Sequence, residues 1–285
     1  MGINFIRPRG VIPAGYNAGL KIDWSHPLSV GLIGCWVPGV SLIDLCLTGL
    51  DLQLGSSTFG VSPEGPCIDG ILGGTGTNYG AASGDIPSAH PLLHWSRLTW
   101  YYRGMTNAAS GSIANSFQRL LNIAYDNANG NPYSLAGAYF NSGTTIAPMW
   151  NIGGGFVTGV NFTLSLPIYT EFSIASTYVA GGNQQGYFNG AISGGVTGVG
   201  PGVPSYSATS QIDIAGDFAY PNSAALKTYM VAFWNRDLSA AEIAYLDADP
   251  YCFLVPSEGE WSMVKVPPVV AVTIKGGTLP FMGVG

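Results

Sequence analysis

The chain has 285 residues, of which 47% are hydrophobic and only 9% are charged, whereas about 25% of residues are charged in a typical globular domain. Its 41 glycines and 19 prolines follow no repeating period, which excludes collagen and indicates many short apolar segments separated by turns. The formal net charge is −6, and this acidic balance argues against a nucleic-acid-binding protein. Because so few charges are present to keep a free monomer soluble, we expect part of the surface to contact partner subunits.

Residues 1–25 are predicted to form an N-terminal arm rich in glycine and proline. Three basic side chains, Arg7, Arg9 and Lys21, lie in this stretch before the first acidic residue. A basic arm on an acidic body suits docking against an acidic neighbour, although a disordered basic terminus accounts equally well for the composition. The chain has no secretion signal at its start and no run as long as a membrane-spanning helix. We therefore expect cytoplasmic synthesis and no membrane partner.

The body is predicted to extend over residues 26–255 and to consist of short strands. Residues 32–37 form the first apolar strand, and the aromatic and β-branched residues 97–103 form another. Residues 120–125 and 133–140 flank a loop rich in asparagine and predict a hairpin. Further strands are predicted at residues 171–179, 185–190, 211–216 and 227–234.

One segment, residues 239–246, has the composition of a helix. Ser239 and Glu242 have the spacing of a capping box, in which each side chain bonds a backbone amide of the other residue. Ile243 and Leu246 are three residues apart and would face the body. Pro250 is expected to prevent the helix from continuing.

Residues 256–285 are predicted to form a C-terminal tail. Residues 264–275 are apolar and β-prone, but two prolines interrupt them, and proline does not fit a central strand. We expect this tail to pair along the edge of a neighbouring chain, and an extra edge strand on its own body is the alternative. The apolar residues expected to make the contact are Val269, Val270, Val272 and Ile274.

Residues 231–243, VAFWNRDLSAAEI, resemble the closing motif of laminin G-like and concanavalin A-like jelly rolls. Residues 26–36 resemble the opening strand of versions found in bacteriophage genomes. Residues 98–103 resemble the central aromatic strand of the family, and residues 172–190 its paired strands before an Asn-Gly turn. The resemblance covers residues 26–255 and implies an all-β, two-sheet antiparallel jelly-roll sandwich with one short C-terminal helix and extended terminal arms.

The closing motif has a structural interpretation that does not depend on the family. Leu238 can pack the start of the helix against the sandwich, and the forked donors of Arg236 can satisfy carbonyls at this corner. We therefore expect a folding device and not a catalytic group. The predicted corner residues are Trp234, Asn235, Arg236, Leu238, Ser239, Glu242 and Ile243.

Jelly rolls of this kind include glucanases, which place paired carboxylates in a Glu-x-Asp-x-x-Glu pattern on one strand. The pattern is absent here, and Asp213 and Asp217 have no glutamate partner in register. Glu258 and Glu260 lie in the tail, where a solvated role is expected. The sequence contains no GxSxG motif whose serine a histidine could activate as a nucleophile, so turn or packing roles are predicted for His26, His90 and His94. The sequence thus predicts a protein without enzymatic activity.

No metal or cofactor is predicted. Calcium is the commonest ligand of the family, and Asp126, Asn127, Asn129 and Asn131 supply oxygen donors in one loop. Their spacing does not match an EF-hand and only one is a carboxylate, so a plain turn is expected and a Ca²⁺ site is the alternative. The four cysteines include no CxxC pair and are expected to be buried apolar side chains, with a disulfide left open.

Sugar binding requires aromatic platforms and amide side chains on an exposed surface. The sequence offers two candidate groups for such a site. One is Tyr220 with Asn222, and the other is the run Asn183, Gln184 and Gln185.

These features together predict a bacteriophage virion structural protein, either a head decoration or a tail-surface subunit. It would be held in the virion by its terminal arms and would contact other virion proteins and copies of itself, with a trimer as the expected oligomer. Cell-surface glycans are further expected partners. A carbohydrate-binding adhesin is the alternative, followed by a glycan hydrolase, which the missing carboxylate pair disfavours.

Overall fold

The structure is a computed structural model. It describes residues 19–55, 57–62, 65–70, 82–107, 119–126, 132–142, 145–152, 155–158, 162–163, 168–196, 210–215 and 225–256. These residues form two eight-stranded sheets and a separate two-stranded ribbon, with every strand pair antiparallel. One α-helix and two short 3₁₀ helices complete the described structure. Among the described helices, none has the length and apolar character needed to cross a membrane.

The first sheet, sheet I, contains the predicted hairpin at its centre. Its strands are β3 (Gln53–Leu54), β6 (Ala82–Ile86), β8 (Arg119–Asp126), β9 (Pro132–Ser142), β10 (Thr145–Ile152), β11 (Gly155–Thr158), β12 (Phe162–Thr163) and β16 (Ser210–Ile214). They lie in the order β11-β10-β9-β8-β16-β6-β3, and β12 also pairs with β10. The hairpin predicted from the flanking strand patterns is confirmed as the antiparallel pair β8–β9.

The second sheet, sheet II, contains the strands that resemble the jelly-roll family. The eight strands of sheet II are β2 (Leu32–Trp36), β4 (Thr58–Ser62), β5 (Gly65–Asp69), β7 (Arg97–Thr106), β13 (Glu171–Val179), β14 (Gln184–Phe188), β15 (Ala191–Val196) and β17 (Leu226–Trp234). Their order is β15-β14-β13-β7-β17-β5-β4, with β2 also on β17. The predicted Asn-Gly turn joins β14 to β15, where Asn189 and Gly190 have φ angles of 47° and 73°. Two consecutive positive φ angles match the twist of a tight hairpin.

Apolar side chains from both sheets fill the space between them. Because side chains alternate along a strand, each strand contributes every second residue to this core. The inner face of β7, for example, presents Leu98, Trp100 and Tyr102, all fully buried, towards Ile123 of β8 and Ile212 of β16. The two-sheet all-β sandwich predicted from the sequence is confirmed.

Sheet II is buried on its outer face as well. Helix α1 (Ala240–Ala248) and the ribbon strands β1 (Leu20–Ile22) and β18 (Leu254–Pro256) contribute to the second apolar cluster, which covers this face. All nine residues of β17 are therefore buried. One face of β17 contributes Val231 and Phe233 to the inter-sheet core, and the other contributes Ala232 and Trp234 to the second cluster.

The ribbon joins the two ends of the described chain. Leu20 pairs with Pro256 and Ile22 with Leu254. Ile22 is 4% exposed, and the Asp23 amide donates to the Phe253 carbonyl over 2.8 Å. Residues 20–25 were predicted as part of the arm, but these contacts place them on the body because Ile22 is an apolar side chain that the outer face of sheet II can bury.

The closing corner has the predicted structure. Ser239 and Glu242 form the capping box at the start of α1, and Ile243 and Leu246 are buried. Arg236 donates from Nε to the Val30 carbonyl over 2.7 Å. The helix ends at Ala248, two residues before Pro250. The prediction of one C-terminal helix with a capping box is confirmed.

No disulfide joins the four cysteines, all of which lie in the described residues. Cys35 and Cys67 are fully buried, as predicted, whereas Cys46 and Cys252 are only half-buried. Burial raises the pKa of the Cys67 thiol to about 11. This thiol is therefore protonated and unreactive at neutral pH.

Candidate functional site

A groove of about 340 Å³ opens on the surface between the 3₁₀ helix Pro27–Ser29 and α1. We call it the corner groove, and the residues that line it are His26, Pro27, Leu28, Ala241, Glu242 and Tyr245. Pro27 and Ala241 are exposed, and Tyr245 is 51% exposed. The groove therefore presents apolar and aromatic surface to the solvent beside the ribbon.

Two aromatic rings form one wall of the corner groove. The rings of His26 and Tyr245 are stacked nearly parallel, with centroids 6.2 Å apart and an angle of 11° between their planes. The Leu28 amide donates to His26 Nδ1 over 3.2 Å, and Phe253 packs beside the His26 ring at 6.5 Å. These contacts hold the wall in one orientation, so the groove is already formed before any ligand binds.

The polar group in the lining, Glu242, is already engaged. Its Oε2 accepts from the Ser239 amide over 2.8 Å, and its Oε1 pairs with Arg236 over 2.8 Å. Burial alone would raise the pKa of Glu242, but the hydrogen bonds from Arg236 and Ser239 outweigh burial and the pKa is lowered. The carboxylate is therefore ionised and directed at the corner, which leaves the groove to recognise apolar groups.

The corner groove is not apparent from the sequence, although the sequence contains one signal of it. In a helix that directs Ile243 and Leu246 at the body, Tyr245 is turned towards solvent by the 3.6-residue period. A large aromatic residue on the exposed face of a short helix is such a signal. The opposite wall, from Pro27, lies more than 210 positions earlier in the chain, and no local pattern places it there.

The run Asn183, Gln184 and Gln185, predicted as a sugar-binding group, does not form one surface. Asn183 is exposed, but Gln184 is 1% exposed and faces the inside of the sandwich. The side-chain Nε2 of Gln185 donates to the Gly194 carbonyl of β15. Consecutive residues of a strand point to opposite faces, so the two glutamines cannot both face a ligand. Only Asn183 of this run is fully available on the surface.

Several other predicted residues lie outside the described residues. Asp126 ends β8, but its side chain is not described. The other undescribed positions are the sugar-binding pair Tyr220 and Asn222, the acids Asp217, Glu258 and Glu260, the calcium-loop residues Asn127, Asn129 and Asn131, and the arm residues Arg7, Arg9, Val269, Val270, Val272 and Ile274. Lys21 is described and lies in β1, opposite Val255.

Asp213 lies on the outer face of sheet I, away from the core. It pairs with Asn122 of β8 on one side and Ser83 of β6 on the other, and both Asp213 and Asn122 are 1% exposed. Asp85 is on the same face and is exposed, but it lies opposite Gln211, one diagonal step from Asp213. The two carboxylates therefore differ in environment, and Asp213 has little contact with solvent.

Another pair of carboxylates surrounds Arg103. Its guanidinium lies 3.5 Å from Asp247 and 3.8 Å from Glu171, and the Ser173 hydroxyl donates to Asp247 over 2.5 Å. Because Asp247 belongs to α1 and the other three residues to sheet II, this network fastens the helix to the sheet. Its carboxylates have a structural role.

The three histidines occupy the turn and packing positions predicted for them. His26 and His90 cap the two 3₁₀ helices through their Nδ1 atoms, and His94 Nε2 lies 2.6 Å from the Ser88 carbonyl. In the part of the chain that the structure describes, no group of three or more His, Cys, Asp or Glu residues could hold a metal ion.

Comparisons with known proteins give a likeness of fold. No protein-family model matches the sequence, and no curated protein matches it. Trypanosoma rangeli sialidase superposes with a TM-score of 0.52 and 15% identity, covering 78% of this chain and 33% of the sialidase. The binding domain of botulinum neurotoxin serotype G gives a TM-score of 0.56 and 14% identity, and the match covers 76% of this chain and 50% of the toxin domain.

The binding domain of botulinum neurotoxin DC, solved in complex with SialylT, gives a TM-score of 0.57 at 11% identity. The match covers 76% of this chain and 51% of that domain. The chain therefore spans about half the length of the toxin domains and a third of the length of the sialidase. At these identities the likeness concerns architecture. The chain shares a sheet-rich fold with a sialidase and with toxin binding domains.

Proposed function

We propose that this chain is a non-enzymatic structural subunit on the surface of a bacteriophage virion, either a head decoration or a tail-surface protein. It is held there by the segments that precede residue 19 and follow residue 256. Its partners are other virion proteins and copies of itself. The opening sequence motif, residues 26–36, resembles phage versions of the jelly roll and supports the assignment to a virion.

The observation that carries this proposal is the pairing of β1 with β18. Leu20 and Pro256 are cross-strand partners, so both terminal segments leave the body side by side. A stretch of 18 residues on one side and 29 on the other can therefore act on the same neighbour. Extended segments bury backbone and apolar area without requiring a large flat interface.

The low content of charge supports the same proposal. Only 9% of all residues are charged, and several of the charges in the described residues are used within the fold. Lys227 pairs with Asp69 over 2.7 Å, and Arg97 pairs with Asp237 over 2.9 Å. A surface with so few charges is suited to permanent contact with other subunits.

A truncation series tests the proposal. A chain lacking residues 1–18 and 257–285 retains every described strand and the helix, so we expect it to fold with the circular dichroism of the full chain. We expect it not to join particles when supplied in place of the full-length protein. Single truncations at either end serve as matched controls and should join partially. Full incorporation of the doubly truncated body would overturn the proposal.

The absence of catalysis is part of the proposal. Asp213 is almost inaccessible to solvent, and the carboxylates beside Arg103 are committed to ion pairs that hold α1. Retaining glycosidases require two accessible carboxyl groups about 5–5.5 Å apart. We expect the purified protein to release no reducing sugar from a panel of polysaccharides. Sugar release by the unmodified protein that is lost in the Asp213→Asn variant would contradict the proposed absence of catalysis.

Glycan binding is the second candidate function. Trp24 is 58% exposed and is flanked by polar residues, with Asp23 Oδ1 accepting from the Ser25 amide over 3.0 Å. An exposed indole beside hydrogen-bonding groups is a surface on which a sugar ring stacks. The fold likeness to a toxin binding domain solved with SialylT points to the same class of ligand.

A glycan array on three proteins tests the second candidate. We expect saturable binding by the full chain and its loss in Trp24→Ala. Val30→Ala is the matched control, because Val30 is 63% exposed and aliphatic, and it should bind like the full chain. Equal binding by all three proteins would exclude Trp24 as the platform, and no binding by the full chain would exclude the candidate function.

A further inference from the structure

The corner groove is an exposed apolar surface beside the point where the chain ends meet. Its aromatic wall is formed by His26 and Tyr245, and Pro27 and the Ala241 methyl group face the same space. Two polar groups of the lining are engaged within the fold, because His26 Nδ1 accepts from Leu28 and Glu242 is held by Ser239 and Arg236. The groove therefore offers mainly apolar and aromatic surface to a ligand.

The chain itself contains a segment of this chemistry. Residues 264–274 read VKVPPVVAVTI and place Pro267 and Pro268 between apolar side chains. Consecutive prolines favour the polyproline II conformation, and grooves lined by aromatic residues bind such segments at a low cost in conformational entropy. The segment begins eight residues after Pro256, the last residue of β18.

The charges of the segment and of the groove are complementary. Lys265 lies two residues before Pro267. Asp249 caps the C-terminal end of α1, one turn beyond Tyr245 on the same face, and the last turn of α1 contains no basic residue. A lysine beside the prolines would meet acidic surface next to the aromatic wall.

The direction of β18 favours the groove of another copy. Leu254, opposite Ile22, lies at the end of the ribbon near the groove, where Phe253 packs beside His26. The strand then runs to Pro256, opposite Leu20, about 7 Å farther from the groove of its own body. β18 thus runs away from the groove of its own body as far as Pro256, the last described residue.

We infer that the corner groove is a docking site for residues 264–274 of a second copy of this chain. The inference rests on the proposed function, in which the terminal segments hold neighbouring subunits together, and it names one surface that they bind. Each copy supplies one groove and one segment, so the contact can close into a symmetric dimer or ring.

Full-length variants test this docking by sedimentation velocity over a wide range of concentration. Ala241→Glu places a carboxylate in the apolar groove and should raise the dissociation constant for self-association by at least about tenfold. Ala240→Glu is the matched control, because Ala240 is exposed on the same turn of α1 but does not line the groove. A glutamate at either position suits the start of a helix, so folding should be preserved.

A mixing experiment separates docking between copies from docking within one copy. Ala241→Glu has a damaged groove and an intact segment, and Val269→Asp has an intact groove and a damaged segment. We expect each variant alone to be monomeric and the mixture to associate, because one intact groove then meets one intact segment. A monomeric full-length chain, a mixture that stays monomeric, or equal effects of Ala240→Glu and Ala241→Glu would overturn the inference.

The experiments distinguish an incorrect docking assignment for the corner groove from an incorrect proposed function. If the full chain does not self-associate but the doubly truncated chain still fails to join particles, the groove assignment is wrong and the virion role stands. If the truncated chain joins particles fully, the virion role of the terminal segments is wrong whatever the groove binds.

Discussion

Asp44 is a fully buried carboxylate that organises the loop between β2 and β3. Its Oδ1 accepts from the amides of Cys35 and Cys46, over 2.9 Å and 3.0 Å, and its Oδ2 accepts from the amide and hydroxyl of Thr48. Hydrogen bonds to a charged acceptor are stronger than those between neutral groups. One side chain therefore fastens this loop to the edge of sheet II.

We expect Asp44→Ala to lower the free energy of unfolding by about 3 kcal/mol or more, because three backbone amides lose their acceptor in a buried site. Asp44→Asn keeps one acceptor oxygen and should lose less. The midpoint of urea unfolding measures both effects. An unchanged midpoint for Asp44→Ala would show that water replaces the carboxylate without cost.

His90 extends the same network and makes it sensitive to acid. The ring is 3% exposed, its Nδ1 accepts from the Leu92 amide over 3.1 Å, and its Nε2 lies 2.6 Å from the Thr48 hydroxyl. Since Nδ1 is an acceptor, the neutral ring has its proton on Nε2 and donates it to Thr48. Burial lowers the pKa of His90 from the ordinary value of 6.5, although the nearby Asp44 acts in the opposite direction.

The consequence is a loss of stability as the pH falls below 6.5. An unfolded histidine takes up a proton in that range, and the folded His90 does not until a lower pH, so the unfolded state binds more protons. We expect His90→Asn, which keeps an acceptor for Leu92 and cannot titrate, to flatten this dependence. Urea unfolding at several pH values measures it, and parallel curves for the two proteins would refute the assignment.

Among the elements, α1 is the one whose local sequence determined most of its structure. Ser239 and Glu242 supply the cap, Ile243 and Leu246 supply the buried face, and all of these signals lie within eight residues. The corner is then completed by Arg236, which connects Glu242 to the Val30 carbonyl. Local signals of this kind are readable from sequence because the interacting groups are close along the chain.

We expect Ser239→Ala to lower stability by about 1 kcal/mol, because the Glu242 amide loses its acceptor at the start of α1. Ser239→Thr preserves the cap oxygen and serves as the matched control. The midpoint of thermal unfolding reports the difference. A loss of equal size in both variants would mean that packing at this position matters more than capping.

The strands were predictable where alternation or β-prone composition was strong. The strand predicted at residues 171–179 has the observed bounds Glu171–Val179, and that at 227–234 begins one residue earlier, at Leu226. The ribbon was not predictable, because Leu20 and Pro256 are separated by most of the chain and each strand has only three residues. The corner groove escaped prediction for the same reason, since its walls come from opposite ends of the body.

On the scale of the whole molecule, sheet II is stabilised from both sides. The inter-sheet core covers one face, and α1 with the ribbon covers the other. The ribbon therefore contributes to the core of the body and also sets the point from which the terminal segments leave. Because of this double role, we expect the N-terminal boundary of the body to lie before residue 20 and not at residue 25.

Two N-terminal truncations test that boundary. Removal of residues 1–18 preserves every described element and should leave the unfolding free energy nearly unchanged. Removal of residues 1–25 deletes β1, exposes the surface covered by Ile22 and removes the bond from the Asp23 amide to Phe253. The second truncation should cost about 2–4 kcal/mol. Equal unfolding midpoints for the two truncations would place the boundary after the ribbon.

Leu20 and Pro256 face each other across the ribbon, about 5 Å apart. Because the two ends of the described body are this close, the fold does not require the elements to follow one another in their present order along the chain. A linker of a few residues could join these positions, and new termini could be opened at Gly181, where a turn between β13 and β14 has open space around it. Such a circular permutant should regain the near-ultraviolet circular dichroism of the body. It would also project any fused segment from the turn at Gly181 instead of from the ribbon.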